Sequence, residues 1–413
     1  MLNENGFIKQ IRLRNFLSYG EKTQTLDLKD VNVLIGPNTS GKSNFIEALR
    51  ILRAAPGKGQ EDLSSTLKEG SEWIWQGGSK DLNAYIDVLT EADPLLNFPF
   101  MMRYSLEFGF TPEIKFKLIS EKAIREVKGA SKRHTPKYDY YYEMGSPPSL
   151  VTYVYDKDKE KYLPGKGASD YAKPEKIDTS KSILSQRYDT ERFPNISHLA
   201  DVFKNIVIFR DWNIGIDSPV RSFQKTNEWD AFLWGDTSNL ALIINNLLES
   251  TDTSNMLFEY LKRFSRFFED IVPTIRDGYI RIHIREKGLR KPTPMTRLSG
   301  GYIRFLCLLA ILCHPEPPPI ICIEEPEICM HPDIIPTIAD LLIEASSRTQ
   351  LFITTHSDIL VSALSNYPES IIVCERDEDG THLNRLKKKD LEKWLEKYKL
   401  GDLWLMNKIG GNP

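Results

Sequence analysis

The 413-residue sequence predicts an α/β protein with a mixed sheet and flanking helices, and three observations carry that prediction. A short apolar strand at Val31–Ile35 runs into a glycine-rich loop that opens a helical pattern. Far downstream, a second apolar strand at 320–323 ends in Glu324 and Glu325. A third, at 351–354, stops just before His356. Strands of this kind belong to a covered sheet, and the residues at their carboxyl ends gather along one edge.

Composition narrows the class. At 41% hydrophobic and 27% charged residues the chain reads as an ordinary globular protein. No run reaches the roughly 18 apolar residues of a membrane span, and the first residues carry neither a basic nor an apolar targeting region. A cytoplasmic protein with no membrane contact is the expectation. The five cysteines fall in the C-terminal part without a CxxC pair, which reads as buried free thiols rather than a metal site. A net charge of −3 argues against coating nucleic acid by bulk charge, although a local basic patch stays open.

In chain order, residues 7–16 alternate apolar and basic residues as a half-exposed strand does. Gly36-Pro37-Asn38-Thr39-Ser40-Gly41-Lys42-Ser43 then fits GxxxxGK[ST] in full and is followed by Asn44 and a helical pattern. Glycines there let backbone N–H groups curl around a phosphate, and the helix adds its positive end. Residues 57–70 read as a loop with a short helix, and 84–89 and 101–108 as strands. Gln76 sits in a turn beside Gly77 and Gly78; it reads equally well as a sensor of metal and water or as a surface glutamine.

Residues 111–200 differ from what precedes them. Lys115, Lys117, Lys122, Arg125, Lys128, Lys132, Arg133 and Lys137 crowd one span, followed by Tyr138, Tyr140, Tyr141 and Tyr142. Lysines interleaved with tyrosines suit a phosphate backbone; a solvated, twisted hairpin with cross-strand aromatic pairs is the preferred reading. A Pro/Gly/Lys-rich stretch at 145–176 reads as hairpins and loops. Residues 193–248 read as mostly helical with a strand at Ile206–Phe209, and 253–268 as one amphipathic helix. A strand is expected at 279–284, within a second basic region that ends just before Leu298-Ser299-Gly300-Gly301. The absence of long heptads excludes an extended coiled-coil arm.

The distal motifs complete a nucleotide site. Hydrolysis of a γ-phosphate needs charge neutralisation and a placed water. Lys42 is expected to reach the β- and γ-phosphates, with the Ser43 hydroxyl and Glu324 holding Mg²⁺ and Glu325 addressing the attacking water. His356 would hydrogen-bond the γ-phosphate and report its loss. Leu298, Ser299, Gly300 and Gly301 open a helix 257 positions after Lys42, counted to Ser299. Such a helix start offers N–H groups to the ATP of a second subunit. A head-to-tail homodimer with ATP at its interface follows, and His331-Pro332 would shape the loop at its seam.

The set GPNTSGKSN, LSGG, IEEPE and TTHS resembles the ABC-type ATPase heads of the RecF, SMC and OLD proteins, most closely the stand-alone predicted ATPases of the AAA-domain group. The resemblance covers residues 1–110 and about 200–413; 111–200 are not explained by it. It implies an ABC-ATPase head: an N-terminal lobe at 1–110, a basic β-rich insertion at 111–200 and a helical lobe at 201–297. A second ATPase lobe follows at 298–390, with a C-terminal helix and tail at 391–413. It further implies an ATP-gated dimer beside a separate effector such as a nuclease, commonly in anti-phage defence or at DNA ends in repair.

Three functions compete: a switch controlling an effector, a DNA-binding repair ATPase, and a nuclease. The acidic run Glu375, Asp377, Glu378 and Asp379 invites the third, but Asp377-Glu378-Asp379-Gly380 reads better as a hairpin turn. A transporter ATPase is disfavoured by the motif separation. Higher assembly beyond a dimer stays open.

Overall fold

The computed structural model describes residues 6–22, 24–57, 61–77, 83–91, 101–111, 115–126, 139–144, 150–151, 153–156, 161–164, 178, 180–190, 194–210, 212–227 and 231–411. Lys128, Lys132, Arg133, Lys137 and Tyr138 of the basic span, Gly78, and most of 145–176 lie outside the described residues.

Two sheets organise the chain. The first has six strands in the order Ile206–Phe209, Ile320–Glu324, Gln350–Thr354, Val31–Ile35, Ile371–Asp377, Gly380–Arg385. The first five are parallel, and the last pairs antiparallel with its neighbour. Val31–Ile35 and Gln350–Thr354 are buried throughout, as central parallel strands covered on both faces must be. The helices Lys42–Ala54, Gly300–Leu312 and Ile335–Ala345 pack around this sheet.

The second sheet has seven strands. It runs Leu26–Asp27, Ile8–Arg14, Ala84–Glu91, Met101–Phe110, Phe116–Glu126, Asp139–Met144, Leu150–Val151, antiparallel throughout. The inserted segment therefore extends the sheet by hairpins. Phe45, Phe352, Tyr104, Phe108 and Phe203 share the apolar core between the two sheets.

Three expectations are corrected. The described residues of 210–239 carry turns, a short 3-10 turn at Pro219–Arg221 and the strand Gln224–Lys225 rather than helix. Proline, glycine and Asp-Ser turns dominate it: Asp236 Oδ1 accepts the Ser238 N–H at 3.0 Å. The amphipathic helix spans Thr251–Phe264, not 253–268. The chain leaves it at Ser265 because Phe268 begins the strand Phe268–Arg276, which pairs with Tyr279–Glu286. The segment thus adds a small sheet, completed by Gln224–Lys225 and Thr293–Pro294, to its helices. The cysteines are free; four are buried, but Cys329 is exposed, in a turn where its φ of 64° keeps it out of regular structure.

Candidate functional site

The phosphate-type loop begins where the buried strand Val31–Ile35 ends. Its turn needs left-handed backbone at Thr39 (φ 67°) and Gly41 (φ 104°). A β-carbon at Gly41 would stand 2.5 Å from Thr381 Oγ1 and 2.7 Å from Ser18 Oγ, so glycine is required twice over. Behind the loop, Thr381 Oγ1 donates to the Ser40 carbonyl at 3.0 Å and Tyr19 Oη donates to the Gly41 carbonyl at 3.0 Å. Asn44 Nδ2 donates to Ser18 Oγ at 2.8 Å. These bonds fix the loop from below. No side chain caps the helix Lys42–Ala54, so its first N–H groups stay open to an anion.

Lys42 folds back on its own loop: Nζ donates to the Gly36 and Pro37 carbonyls, each at 2.8 Å. Burial holds its pKa below the ordinary lysine value. Those carbonyls keep the ammonium tethered where a phosphate would take it over. Ser43 is exposed, and its Oγ donates to Glu324 Oε2 at 3.2 Å. Asn38 and Thr39 are exposed at the loop tip.

Glu324 ends the strand Ile320–Glu324, and Glu325 turns away from it with φ 48°. The Glu325 N–H donates to the Thr354 carbonyl at 2.9 Å, which stabilises this disfavoured conformation. The turn brings Glu325 Oε1 to 3.9 Å from His356 Nε2. Burial, then the Lys42 charge, push the His356 imidazole below its usual value; Glu325 opposes them. That direction favours the neutral ring. Glu327 fixes the following loop: its Oε1 accepts from Thr355 Oγ1 at 2.5 Å and from the His356 N–H at 3.1 Å. Burial raises its own pKa.

The LSGG segment lies at the start of the helix Gly300–Leu312. Ser299 caps it, accepting the Tyr302 N–H at 3.2 Å; Leu298 is buried and Ser299 exposed. Gly300 and Gly301 are half-buried. None of the four lines the cavity of about 440 Å³ bounded by Arg210, Trp212, Arg304, Glu324, Glu325 and Ile328. Gln76 is exposed, and its Nε2 donates to the Ser71 and Ile74 carbonyls, each at 3.0 Å. It lines a separate cavity of about 480 Å³ with Leu17, Ser18, Asn44 and Trp75. The structure thus brings Lys42, Ser43, Glu324, Glu325 and His356 to one sheet edge, and leaves Gln76 turned onto its own loop. His331 is exposed in the turn after Glu327, where its Nδ1 accepts the Asp333 N–H at 3.3 Å.

Sequence reading missed three residues. Arg210 pairs with both Glu324 and Glu47. Arg304 donates to the Glu325 carbonyl at 2.6 Å and stacks over Trp212 at 4.4 Å. Arg221 donates to the Leu298 carbonyl at 2.7 Å, bracing the segment that leads into Ser299. Arg210 carried a signal: it is the first residue past a parallel strand, so it had to arrive at the same carboxyl edge.

The family described as "AAA domain, putative AbiEii toxin, Type IV TA system" matches residues 31–362, from the strand before the phosphate loop to beyond His356. The chromosome segregation protein sudA of Emericella nidulans is 35% identical over 86 residues, and the structural maintenance of chromosomes protein 3 of Arabidopsis thaliana 33%. That match takes in 20% of this chain and 7% of each of those proteins. Among solved structures, the SMC head of Pyrococcus furiosus with an extended coiled coil, bound to the C-terminal domain of ScpA, superposes with a TM-score of 0.51 at 14% identity. That superposition covers 95% of this chain and 99% of the other. An SMC head bound to the C-winged helix domain of ScpA gives 0.50 at 16% identity, covering 93% and 99%. At such identity the likeness is one of fold. The chain belongs to that AAA-domain family, and its fold is that of the SMC head.

Proposed function

We propose that the chain binds and hydrolyses ATP and works as a head-to-tail homodimeric switch that controls a separate effector. The observation that carries this reading is a division of the motifs. Lys42, Ser43, Glu324, Glu325 and His356 converge at one edge. Ser299, by contrast, is exposed and lines neither cavity at that edge. A second copy would present its Ser299–Gly301 amides to the bound nucleotide.

Within one subunit Lys42 would leave the Gly36 and Pro37 carbonyls for the β- and γ-phosphates, joined there by backbone N–H groups of residues 38–44. Ser43 Oγ and Glu324 Oε2 are hard oxygen donors 3.2 Å apart, a set that fits Mg²⁺. Bound there, Mg²⁺ would supply charge neutralisation on the phosphates. Glu325 would orient and deprotonate the attacking water, and neutral His356 would donate to the γ-phosphate. The cavity beside Asn44, with Trp75 on its wall, is sized for the nucleoside.

The family's description includes a putative toxin of a type IV toxin–antitoxin system. For this chain the role proposed on that basis is control of a nuclease-like or toxin-like effector in defence against phage. A RecF-like role on DNA is the second reading, supported by Arg276, Arg281 and Arg285 along the small sheet and Arg290 in the loop after Tyr279–Glu286. Light scattering of Glu325→Gln with ATP tests the switch: the variant should bind ATP, turn it over about 10² to 10⁴ times more slowly, and accumulate as a dimer. Wild-type turnover by that variant removes Glu325 from its role. Tight duplex-DNA binding that weakens steeply with salt would favour the second reading over the first.

A further inference from the structure

Arg210 stands between two carboxylates beside the place where Ser43 and Glu324 meet. The strand Ile206–Phe209 pairs in parallel with Ile320–Glu324, Phe209 opposite Ile323, so the next residues, Arg210 and Glu324, emerge side by side. Arg210 donates from Nε to Glu324 Oε1 and from Nη1 to Glu47 Oε1. Glu47 lies four residues after Ser43 on the same helix, hence on the same face one turn along. Side-chain exposure is 33% for Arg210 and 13% for each carboxylate, so these charges sit largely out of water, where they act strongly.

The two oxygens of Glu324 are thereby divided. Oε1 is held by the guanidinium and Oε2 faces Ser43 Oγ at 3.2 Å. A charge-assisted bond to one oxygen fixes the carboxylate plane and aims the other. The extra methylene of glutamate, relative to aspartate, gives the reach to span Arg210 and Ser43 together. Without Arg210, Glu324 would lose its counter-ion and Glu47 would keep only Arg50, whose Nη1 lies 3.4 Å from Glu47 Oε2. The excess negative charge flanking the Ser43 hydroxyl would be an attractive place for a divalent cation even without nucleotide.

We propose that Arg210 is a positioning residue and internal counter-ion for the metal-holding carboxylate. It aims Glu324 at Ser43, and it neutralises the Glu47–Glu324 pair so that a divalent cation enters only together with a triphosphate. The inference rests on Ser43 and Glu324 being the metal-holding pair.

The test is Mn²⁺ binding by electron paramagnetic resonance, with and without the non-hydrolysable analogue AMP-PNP. Wild type should bind Mn²⁺ weakly alone and tightly with the analogue. Arg210→Met should bind Mn²⁺ alone about tenfold or more tightly than wild type, and should lose about tenfold or more in the analogue complex. Arg210→Lys keeps the charge but not the fork, so it should stay weak without nucleotide while losing affinity with it. It also covers the case in which the methionine variant does not fold. Mn²⁺ affinities equal to wild type in both states, for whichever variant folds, overturn the proposal. Ser43→Ala separates the underlying reading: analogue-dependent Mn²⁺ binding that survives it removes the metal site itself, whatever Arg210 does.

Discussion

Arg304 Nη2 donates a 2.6 Å hydrogen bond to the carbonyl of Glu325, and so ties the helix capped by Ser299 to the turn that aims the Glu325 carboxylate. A second donation reaches the Glu324 carbonyl at 3.4 Å, and the guanidinium lies over Trp212. In the proposed dimer, the half of the site offered to a partner and the half serving the chain's own nucleotide would thus be one mechanical unit, and docking of Ser299 against a partner's nucleotide would have a direct path to Glu325.

That link predicts the behaviour of Arg304→Met. The half-buried carbonyl loses a charged donor, which should lower stability by about 1.5 kcal/mol in urea unfolding. ATP affinity should hold, since Lys42 and its loop are untouched, while turnover falls. A variant equal to wild type in both unfolding midpoint and turnover removes the link.

His356 supplies a pH prediction. Burial and the Lys42 charge hold its pKa below the ordinary 6.5. It should therefore be neutral and functional from pH 7 upward, with an acid limb in the turnover profile only below 6.5. His356→Gln should turn over more slowly and lose that limb. An unchanged limb in the variant would assign it to another group.

The strands 320–324 and 350–354 and the phosphate loop were legible because each is a local pattern: an apolar run, then a fixed set of residue types. The stretch 210–239 was not. Its shape is set by long-range bonds, such as Arg221 to the Leu298 carbonyl, 77 positions away, that leave no local period. Phe267 and Phe268 continue the helical spacing of Thr251–Phe264 in sequence, yet Phe268 is claimed by pairing with Glu286. Tertiary pairing overrode a valid helical phase there. Arg210 escaped for the same reason: its partner Glu324 is 114 positions away.

Glu121 gives a stability prediction outside the site. It is fully buried in the strand Phe116–Glu126, and Oε1 accepts from Tyr104 Oη at 2.6 Å and Ser182 Oγ at 2.5 Å. Oε2 accepts the Ile183 N–H at 2.8 Å. Burial outweighs these donors and pushes its pKa from 4.5 to about 7. The folded state therefore keeps its proton longer than the unfolded one. The stabilising contribution is full below pH 4.5 and is lost as pH rises through about 7, a change of about 3 kcal/mol. Glu121→Gln has no proton to lose, so the difference in urea stability between wild type and variant should shift by that amount over the window. A difference independent of pH would show that Glu121 titrates normally.

Gly301 tests the start of the helix Gly300–Leu312 most directly. A β-carbon there would stand 2.5 Å from the carbonyl oxygen of Cys329, a backbone atom that cannot swing aside. Cys329 lies in the turn after Glu325, held at φ 64°. Gly301→Ala must therefore push the helix start and that turn apart, moving Ser299 outward and disturbing Glu325 together. The core beneath is unaffected, because Ile303, Phe305 and Leu306 stay buried on the same helix. The variant should fold with a loss of about 1 to 3 kcal/mol, the range for overpacking. It should bind ATP through Lys42 as wild type does, yet fail to form the ATP-dependent dimer by light scattering. Dimerisation at wild-type ATP concentrations would place the subunit contact elsewhere than Ser299–Gly301.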